Sequence, residues 1–494
     1  MLSILPCPIS RFPCRSDRTI PRTAWRSPIA LAAIFLTLLA GGCARYHPQP
    51  IVPQESLEDF QARRLDAPEL GAFLAERGEA VSWPPAAWDF ETLTRAAFFY
   101  SPALDVARAR WAVARGGVVT AGARPNPTAS GAIGYNSTTP RDEITPWIPE
   151  GALDLPLEIA GKRGLRVAEA RQLSEAARLN LFTAAWELRS RVRKAFTLLY
   201  VARQTDSLLA TEAEIQTESV KILESQRQVG EVSPMEVTQA RVALANLRTR
   251  AAAAVTAAVR ARAELADAVG VPPAALDEVT LSFEALADVD IRLPEAEARR
   301  LAMIHRSDIL ASLAEYEASQ RALQLEVRKQ YPDINLGPGY QLDQTDSKWT
   351  LGLGLTLPLL DQNRGPIAEA RARREEAGAA FLALQSRALG EVEGAVAAAR
   401  AALTQVEASD TLLAALDRQE TAARAAYAAG EISRLEYLGL QAESVATALG
   451  RLEALAAAQE AVGALEDAMQ TPLDMETWAV AAPDRTGSPG EEER

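Results

Sequence analysis

The chain has 494 residues and a formal net charge of −13, from 52 basic and 65 acidic residues. Hydrophobic residues make up 48% of it and aromatic residues only 6%, an alanine-rich balance that favours long helices. The charges are mixed along the chain without a basic stripe, which argues against a nucleic-acid partner. Because the sequence has two histidines and no phosphate loop, nucleophile motif or metal-ligand cluster, it indicates neither an enzyme nor a cofactor or metal site.

The first 42 residues have the pattern of an export signal. Five arginines precede an apolar run, residues 29–40, which is too short to remain in a bilayer as a helix. Two glycines then lead to Cys43, and this sequence resembles the processing site of bacterial lipoproteins. We therefore predict that Cys43 is acylated and begins a lipid-anchored extension, residues 43–89. The alternative is an ordinary cleavage site beside an unmodified cysteine.

Two further features of this region bear on location. The residue after Cys43 is Ala44, where retention signals for the inner membrane usually place Asp, so the resemblance indicates the outer membrane. Cys7 and Cys14 lie upstream of the processing site. The mature chain would then keep a single cysteine and could form no internal disulfide.

The rest of the chain is duplicated. Four residues that begin at Ala168 recur 200 positions later at Ala368, and the segment that begins at Gly230 recurs at Gly430. A constant offset over about a hundred positions is strong evidence for an internal repeat. We predict a first repeat at residues 90–293, a second at 294–472 and a flexible tail at 473–494.

Each repeat predicts a helix, two strands, a very long helix, a tight turn and a second helix. The first helices cover about residues 90–121 and 294–329. The long helices follow from missing breakers: residues 165–229 contain no glycine or proline, and residues 367–429 contain no proline. At the rise of an α-helix each spans roughly 95 to 100 Å. Their apolar stripes alone would also fit a simple coiled coil.

Four strands are expected, at about residues 128–135, 151–157, 333–343 and 349–357. In the last of them Trp349 and a series of leucines alternate with threonines and glycines. A period of two with one apolar face is typical of a membrane-barrel strand, and a soluble sandwich strand has the same pattern. Export favours the membrane. Because four strands cannot close a barrel, the chain would have to oligomerise.

The duplicated plan, the glycine turns and the segments 155–163 and 357–359 resemble the TolC-like outer membrane efflux family, from about residue 90 to residue 472. The resemblance implies a mainly α fold with a small β-barrel part. It implies a homotrimer with a twelve-stranded barrel in the outer-membrane lipid and a periplasmic α-helical barrel below it. It also implies docking on a periplasmic adaptor and an inner-membrane pump of the RND type.

The function that this resemblance implies is an exit duct for small molecules or metal cations. Residues 155–163 are most similar to the CzcC-like, heavy-metal cation branch of the family. Two alternatives stay open: an exit duct for type I protein secretion, and a periplasmic coiled-coil adaptor that forms no channel. An adaptor would have one helical hairpin, whereas this chain predicts two.

The resemblance assigns the two glycine turns to a periplasmic tip that contacts the adaptor. The residues of this tip are Gly230, Glu231, Val232, Ser233, Gly430, Glu431, Ile432 and Ser433. A tight reversal between helices needs a residue that tolerates positive φ, so a plain helical hairpin turn would explain the glycines equally well.

The resemblance also implies a channel gate near the tip. Glu236 and Glu436 stand six residues after the two glycines, and by three-fold symmetry they would form carboxylate rings that favour cations. The alternative is a pair of solvated helix carboxylates. Tyr427 matches a tyrosine of the family's gate latch. The arginine of that latch corresponds to Ile432, and we expect the nearby Arg434 on a different helical face.

Overall fold

Two long helical hairpins and one four-stranded sheet account for most of the computed structural model. The structure describes residues 46–75, 83–138, 144–289, 295–343 and 345–473. Cys43, the export signal and all but the first residue of the predicted tail lie outside these residues. The chain divides into two units, residues 1–59 and 60–494. Helix α1, Pro53–Gln61, begins in the first unit and buries none of its residues.

The second unit contains the repeats. Its helices are α2 (Pro68–Ala75), α3 (Phe90–Tyr100), α4 (Pro102–Gly122), α5 (Lys162–Gln228), α6 (Pro234–Val269), α7 (Glu295–His305), α8 (Ser307–Arg328), α9 (Arg364–Ala429) and α10 (Arg434–Met469). Its strands are β1 (Thr128–Tyr135), β2 (Trp147–Leu157), β3 (Ile334–Asp343) and β4 (Asp346–Leu355). The same order of elements, two short helices, two strands and a long helical hairpin, therefore occurs twice.

The first helix of each repeat is broken, and the prediction of one continuous helix there was wrong. Ser101 has an extended backbone, accepts a hydrogen bond from the Leu104 N–H through its hydroxyl, and is followed by Pro102 at the first helical position. In the second repeat Arg306 occupies the break, with an extended backbone as well. Its buried guanidinium pairs with Asp308 and donates to a main-chain carbonyl of α10.

The long helices are confirmed, and they begin slightly earlier than predicted. Helix α5 has 67 residues and α9 has 66, so each is about 100 Å long. The residue before each helix is left-handed: Gly161 at φ +72° and Asn363 at φ +58°. These residues turn the chain directly from the sheet into the helix. Helix α6 packs antiparallel on α5, α10 packs on α9, and α10 also contacts α5.

The four strands form one antiparallel sheet in the order β1-β2-β3-β4. Tyr340 pairs with Trp349 and Leu336 with Leu353, which puts the apolar residues on one face, while Gly339 pairs with Thr350 on the other. Strand β2 begins four residues earlier than predicted and β4 ends two earlier. Strand β4 ends at Leu355 because its partner strand begins at Ile334, the residue paired with Leu355.

Each repeat has a core where its short helices cross the long hairpin. In the first repeat Trp88, Phe196 and Leu265 are almost fully buried. In the second, Val392 and Met469 occupy the corresponding place with Ala298. Among the residues that the structure describes, no helix is apolar enough over a sufficient length to cross a membrane.

Candidate functional site

The two hairpin tips have the same backbone geometry. Gly230 has φ +83° and Gly430 has φ +76°. The next N–H in each chain reversal donates back to a helix carbonyl, from Glu231 to Gln226 and from Glu431 to Ala426, both at 2.9 Å. A Cβ added to either glycine would meet nothing within 4 Å. The glycines are therefore required for the left-handed backbone and not for space.

The serines of the tips begin the return helices. Ser233 and Ser433 are the N-caps of α6 and α10, and each accepts a hydrogen bond from the N–H three residues later at 3.2 Å. The Glu436 carboxylate in turn accepts from the Ser433 N–H at 2.7 Å, which completes a capping box. Glu236 accepts from the hydroxyl of Ser233 at 3.0 Å. Both proposed gate carboxylates thus help to hold their own turn.

The electrostatics of the capping box favour an ionised glutamate. The hydrogen bond from the Ser433 backbone, with that from its hydroxyl, holds the pKa of Glu436 below its ordinary value. Glu236 and Glu436 are both exposed on the single chain. A carboxylate can cap its helix and still face a pore. The assignment of these two glutamates to a channel gate therefore stays a prediction.

The tip surface is mainly exposed, which leaves it free for a partner. Of the predicted contact residues, Val232 and Ile432 are half-buried and the others are exposed. Two apolar side chains that the sequence analysis did not select, Val229 and Met235, flank the first turn at 72% and 69% exposure. The sequence signal that could have identified them is the position of apolar residues next to a glycine turn, where side chains are usually exposed.

A cluster near the second tip joins the two hairpins. The Arg434 guanidinium donates twice to the Glu218 carboxylate of α5, at 2.8 Å each. It also lies over the rings of Tyr427 and Tyr437, 5.4 and 5.5 Å from their centroids, and these two rings are stacked. We call Glu218, Tyr427, Arg434 and Tyr437 the tip contact. The turn brings Arg434, the first residue of α10, back over Tyr427 of α9.

A second, buried cluster, which the sequence did not predict, lies where α5 crosses α10. Arg189 donates to Glu466 at 2.8 Å and to Glu91 at 3.2 Å. Arg193 pairs with Glu466 and, at 3.0 Å, with Asp467. We call Glu91, Arg189, Arg193, Glu466 and Asp467 the inter-repeat cluster, because it ties the first repeat to the last helix of the second. The side chains of Arg189 and Glu466 are only 5% and 10% exposed.

Burial and pairing act in opposite directions on the carboxylates of this cluster. Burial tends to raise the pKa of Glu466, but Arg193 and Arg189 outweigh it and hold that pKa below its ordinary value. Burial raises the pKa of Glu91, and the opposing effect of Arg189 is smaller. Glu466 is therefore the carboxylate whose charge the cluster is built around.

The segment 155–163, which carried the resemblance to the metal-cation branch, is a joint between sheet and helix. Its Glu158 receives a hydrogen bond from Arg166 at 2.8 Å. Its Lys162 is buried and pairs with Asp333 at 2.9 Å. Gly161 supplies the left-handed turn between them. These contacts fix the angle between β2 and α5, and none of them selects a cargo.

No metal-ligand group is found in the part of the chain that the structure describes: no three or more His, Cys, Asp or Glu side chains come together as they would around an ion. The tips and the tip contact lie on the long hairpins, and so does the inter-repeat cluster except for Glu91 of α3. The features of the second unit are therefore those of a scaffold with contact surfaces, a sheet with an exposed apolar face at one end and helical turns at the other.

Comparison with known proteins agrees with this description. The family model for outer membrane efflux protein matches residues 95–271 and 298–470, one stretch in each repeat. The chain belongs to the outer membrane efflux protein family. It is similar to the cobalt-zinc-cadmium resistance protein CzcC of Cupriavidus metallidurans, with 24% identity over 331 residues, 66% of this chain and 76% of that protein.

Solved structures share the fold. The outer membrane protein VceC from Vibrio cholerae superposes with a TM-score of 0.63 at 21% identity, over 78% of this chain and 97% of VceC. The MtrE outer membrane channel of Neisseria gonorrhoeae, solved in its open state, gives a TM-score of 0.62 at 17% identity, over 78% of this chain and 90% of MtrE. The prediction of the family and of the fold class is confirmed.

Proposed function

We propose that the protein is the outer-membrane exit duct of a tripartite efflux system, a channel and not an enzyme. The observation that carries this proposal is the joining of an exposed, one-faced antiparallel sheet to two helical hairpins of about 100 Å. The sheet suits a membrane and the hairpins suit a passage across the periplasm. Family membership supports the same conclusion.

The duct is a homotrimer in this proposal. Within the described residues β1 pairs only with β2, and β4 only with β3, so each outer strand has one unpaired edge. Unpaired backbone groups in hydrocarbon cost several kcal/mol each, on the order of the loss of a full hydrogen bond, so the edges must meet other strands. Three copies, with β4 of one beside β1 of the next, would close a barrel of twelve strands.

Reconstitution in planar bilayers tests this proposal. The purified protein should have the mass of a trimer and insert as a conducting pore. Leu353→Arg places a charge on the apolar face, at a cost of about 2 to 4 kcal/mol near the bilayer midplane, and should block insertion. The matched control is Thr350→Arg, which adds the same charge to the opposite face of β4. Equal insertion of the two variants would contradict the barrel.

We further propose metal cations as cargo, with small organic molecules as the competing class. The support is the similarity to a cobalt-zinc-cadmium resistance protein. Deletion of the gene should then lower tolerance to divalent cobalt, zinc or cadmium, and complementation should restore it. If only tolerance to organic compounds falls, the duct serves the other class of cargo.

The tips are the proposed contact with a periplasmic adaptor, through which an inner-membrane pump of the RND type is joined. This proposal is supported by the exposure of the tip residues, with Val229 and Met235 as the apolar centre of the first tip. Met235→Asp should weaken adaptor binding in a pull-down while insertion of the pore is unchanged. The matched control is Val259→Asp, on the same helix as Met235 and 67% exposed, about 36 Å from the turn.

Glu236 and Glu436 are the proposed carboxylate rings of the gate. Glutamine can still accept the hydrogen bonds of the caps, so replacing both by glutamine changes the charge and keeps the turns. The double variant should have lower cation selectivity in its closed, low-conductance state. Unchanged selectivity would leave the two glutamates as helix caps alone.

Cys43 is the proposed lipid anchor. Arg63 donates to the carbonyl of Gly270 at 2.7 Å, which places it beside the core of the first repeat, near Val192 of α5. Twenty residue steps lead from Cys43 to Arg63: helix α1 takes nine of them and about 13 Å, and the other eleven can span about 38 Å. The segment can therefore span about 50 Å, while α5 from Val192 to its start at the sheet is about 45 Å. A lipid on Cys43 can therefore reach the membrane. Cys43→Ser should abolish labelling by a fatty-acid probe, and unchanged labelling would contradict the anchor.

A further inference from the structure

The sheet carries two matching pairs of aromatic residues. Tyr135 and Trp147 are direct cross-strand partners in the first hairpin, with ring centroids 4.9 Å apart. Tyr340 and Trp349 are direct partners in the second, at 4.7 Å. We call these four residues the Tyr-Trp pairs. Both pairs lie toward the hairpin loops, at the end of the sheet away from the long helices.

The Tyr-Trp pairs belong to the apolar face of the sheet. The register places Trp349 on the same face as Leu351, Leu353 and Leu355, and Trp349 is 80% exposed. Rings that pack on each other and on no core are unusual for a water-exposed surface, because tyrosine and tryptophan expose large apolar areas there. Amphipathic rings of this kind are favoured where hydrocarbon meets polar headgroups.

The two pairs occupy equivalent depths. The sequence repeat relates Trp147 to Trp349 and Leu157 to Leu359, both by 202 positions. In the sheet Tyr340, and hence Trp349, aligns with Gly151, four residues along β2 from Trp147. If strands are tilted by about 45°, residues at equal depth on β2 and β4 are offset by about three residues along the strand. Because side chains on one face recur every two residues, the offset must be two or four. The observed stagger fits one common depth.

The apolar face between the Tyr-Trp pairs and the helical end of the sheet is as tall as the hydrocarbon layer of a membrane. Leu157 lies ten residues after Trp147 in β2, a distance of about 33 Å along the strand. With the usual tilt this gives about 23 to 27 Å along the membrane normal, against an apolar band of about 25 Å in outer-membrane barrels. Charged residues follow at once: Glu158 after Leu157, and Asp361 after Leu359 and Leu360.

In the second repeat, the apolar band extends past the end of β4 into the loop that follows. Leu357, Leu359 and Leu360 lie beyond the end of β4 and are 59%, 74% and 103% exposed. Nothing in the described part of this chain covers them. Three exposed leucines in a row of four residues are costly in water, whereas they are favourable among acyl chains, by about 1.5 to 3 kcal/mol for each fully buried side chain.

We propose that the Tyr-Trp pairs bind the outer leaflet at the boundary between hydrocarbon and headgroups, and that Leu157 and Leu359 mark the inner-leaflet boundary. This inference rests on the proposed function, because the sheet must be part of a barrel. The partner is lipid, recognised by its interface. The pairs fix the depth of the channel, and the leucines of the loop after β4 extend the membrane surface beyond the strand.

Depth-dependent quenching of tryptophan fluorescence tests the proposal. The full-length, lipidated protein is reconstituted in phosphatidylcholine vesicles that carry bromine either next to the headgroup or near the chain ends. Bromine next to the headgroup should quench at least twice as much fluorescence as bromine near the chain ends. The double variant Trp147→Phe/Trp349→Phe should lose most of this quenching. The matched control Trp111→Phe, on helix α4, should retain it.

The inner boundary is tested in the same way. Adding Leu359→Trp to the double phenylalanine variant should restore quenching by bromine next to the headgroup. Stronger quenching by chain-end bromine, in either experiment, would contradict the assigned depth and leave the barrel intact. If neither brominated lipid quenches the fluorescence and the protein also fails to conduct, the barrel itself would be contradicted. Quenching that persists in the double phenylalanine variant would overturn the assignment to the pairs.

Discussion

The inter-repeat cluster and the tip contact use the same chemistry in different surroundings. Each pairs an arginine with a glutamate between α5 and α10, and in each the arginine lies against aromatic rings: Arg189 over Phe90 and Trp186, Arg434 over Tyr427 and Tyr437. In the first, where α5 crosses α10, the side chains of the central pair, Arg189 and Glu466, are 5% and 10% exposed. The side chains of Arg434 and Glu218 are 34% and 44% exposed.

This difference in burial assigns different roles to the two contacts. A charge that loses its partner in a buried site stays uncompensated, so the inter-repeat cluster cannot separate without a large cost. An exposed pair exchanges its partner for water at little cost. The hairpins are therefore joined permanently at one level and reversibly at their tips. The proposed duct would need this arrangement to open at its tip, because the hairpins would have to move at one end and hold at the other.

The largest expected effect is at Glu466. Glu466→Gln removes the charge that Arg189 and Arg193 share and should lower the free energy of unfolding by about 3 to 5 kcal/mol. Thermal or urea denaturation of the detergent-solubilised protein measures this change. The matched control is Glu453→Gln, an exposed position on the same helix, which should change stability by less than about 0.5 kcal/mol. Equal stability of the two variants would remove the distinction between a permanent and a reversible contact.

A smaller effect is expected at the turn that carries the tip contact. Gly430→Val forces a β-branched residue to φ +76° and should cost about 1 to 3 kcal/mol of local strain. It should shift Arg434 away from Glu218, weaken adaptor binding and leave the inter-repeat cluster unchanged. The control is Gly439→Ala, within α10, where an added Cβ meets nothing within 4 Å. If the two variants bind the adaptor equally well, the turn is not part of the docking surface.

Removing the tip contact itself should change function more than stability. Arg434→Ala should leave the melting temperature unchanged, because the pair is exposed, and should raise the conductance of the closed channel in planar bilayers several-fold. Arg241→Ala is the matched control, since Arg241 pairs with Glu224 in a similarly exposed contact that lies within the first hairpin. The comparison fails if both variants conduct like the unmodified protein.

The sequence predicted the parts of the fold that depend on local pattern. The repeat, the long helices and the alternating strands follow from periodicity and from missing breakers, and these were confirmed. The breaks at Ser101 and Arg306 were missed because a capping hydroxyl and a buried guanidinium stabilise them. Both depend on contacts that a helical pattern does not reveal, although the proline after Ser101 was a visible signal.

The contacts between the hairpins could not be predicted from the sequence. Arg189 and Glu466 are 277 residues apart, and Glu218 and Arg434 are 216 apart, so no local spacing links them. One signal was present for the buried cluster: Arg189 and Arg193 lie beside Leu188 and Val192 on a mainly apolar face of α5. A charged residue in such a position requires a buried partner. The tip contact offers no comparable signal, because its residues look like ordinary exposed charges.

The smallest expected effect is the response of the closed-channel conductance to pH. The hydrogen bonds from Arg434 hold the pKa of Glu218 below its ordinary value of 4.5. A lowered pKa means that the pairing is fully present above the ordinary value and is lost as the pH falls through the lowered one. The closed conductance should therefore stay constant from neutral pH to about 4.5 and rise only below it.

The matched measurement uses the Arg434→Ala channel, which should conduct more at neutral pH and show no further rise in acid. High salt should shift the unmodified channel in the same direction as acid, because it screens an exposed pair, whereas the buried cluster is screened much less. In the inter-repeat cluster, burial raises the pKa of Glu91, whereas Arg193 and Arg189 hold the pKa of Glu466 below its ordinary value. An acid-induced rise of equal size in the Arg434→Ala channel would assign the pH response to another group and contradict the reversible tip contact.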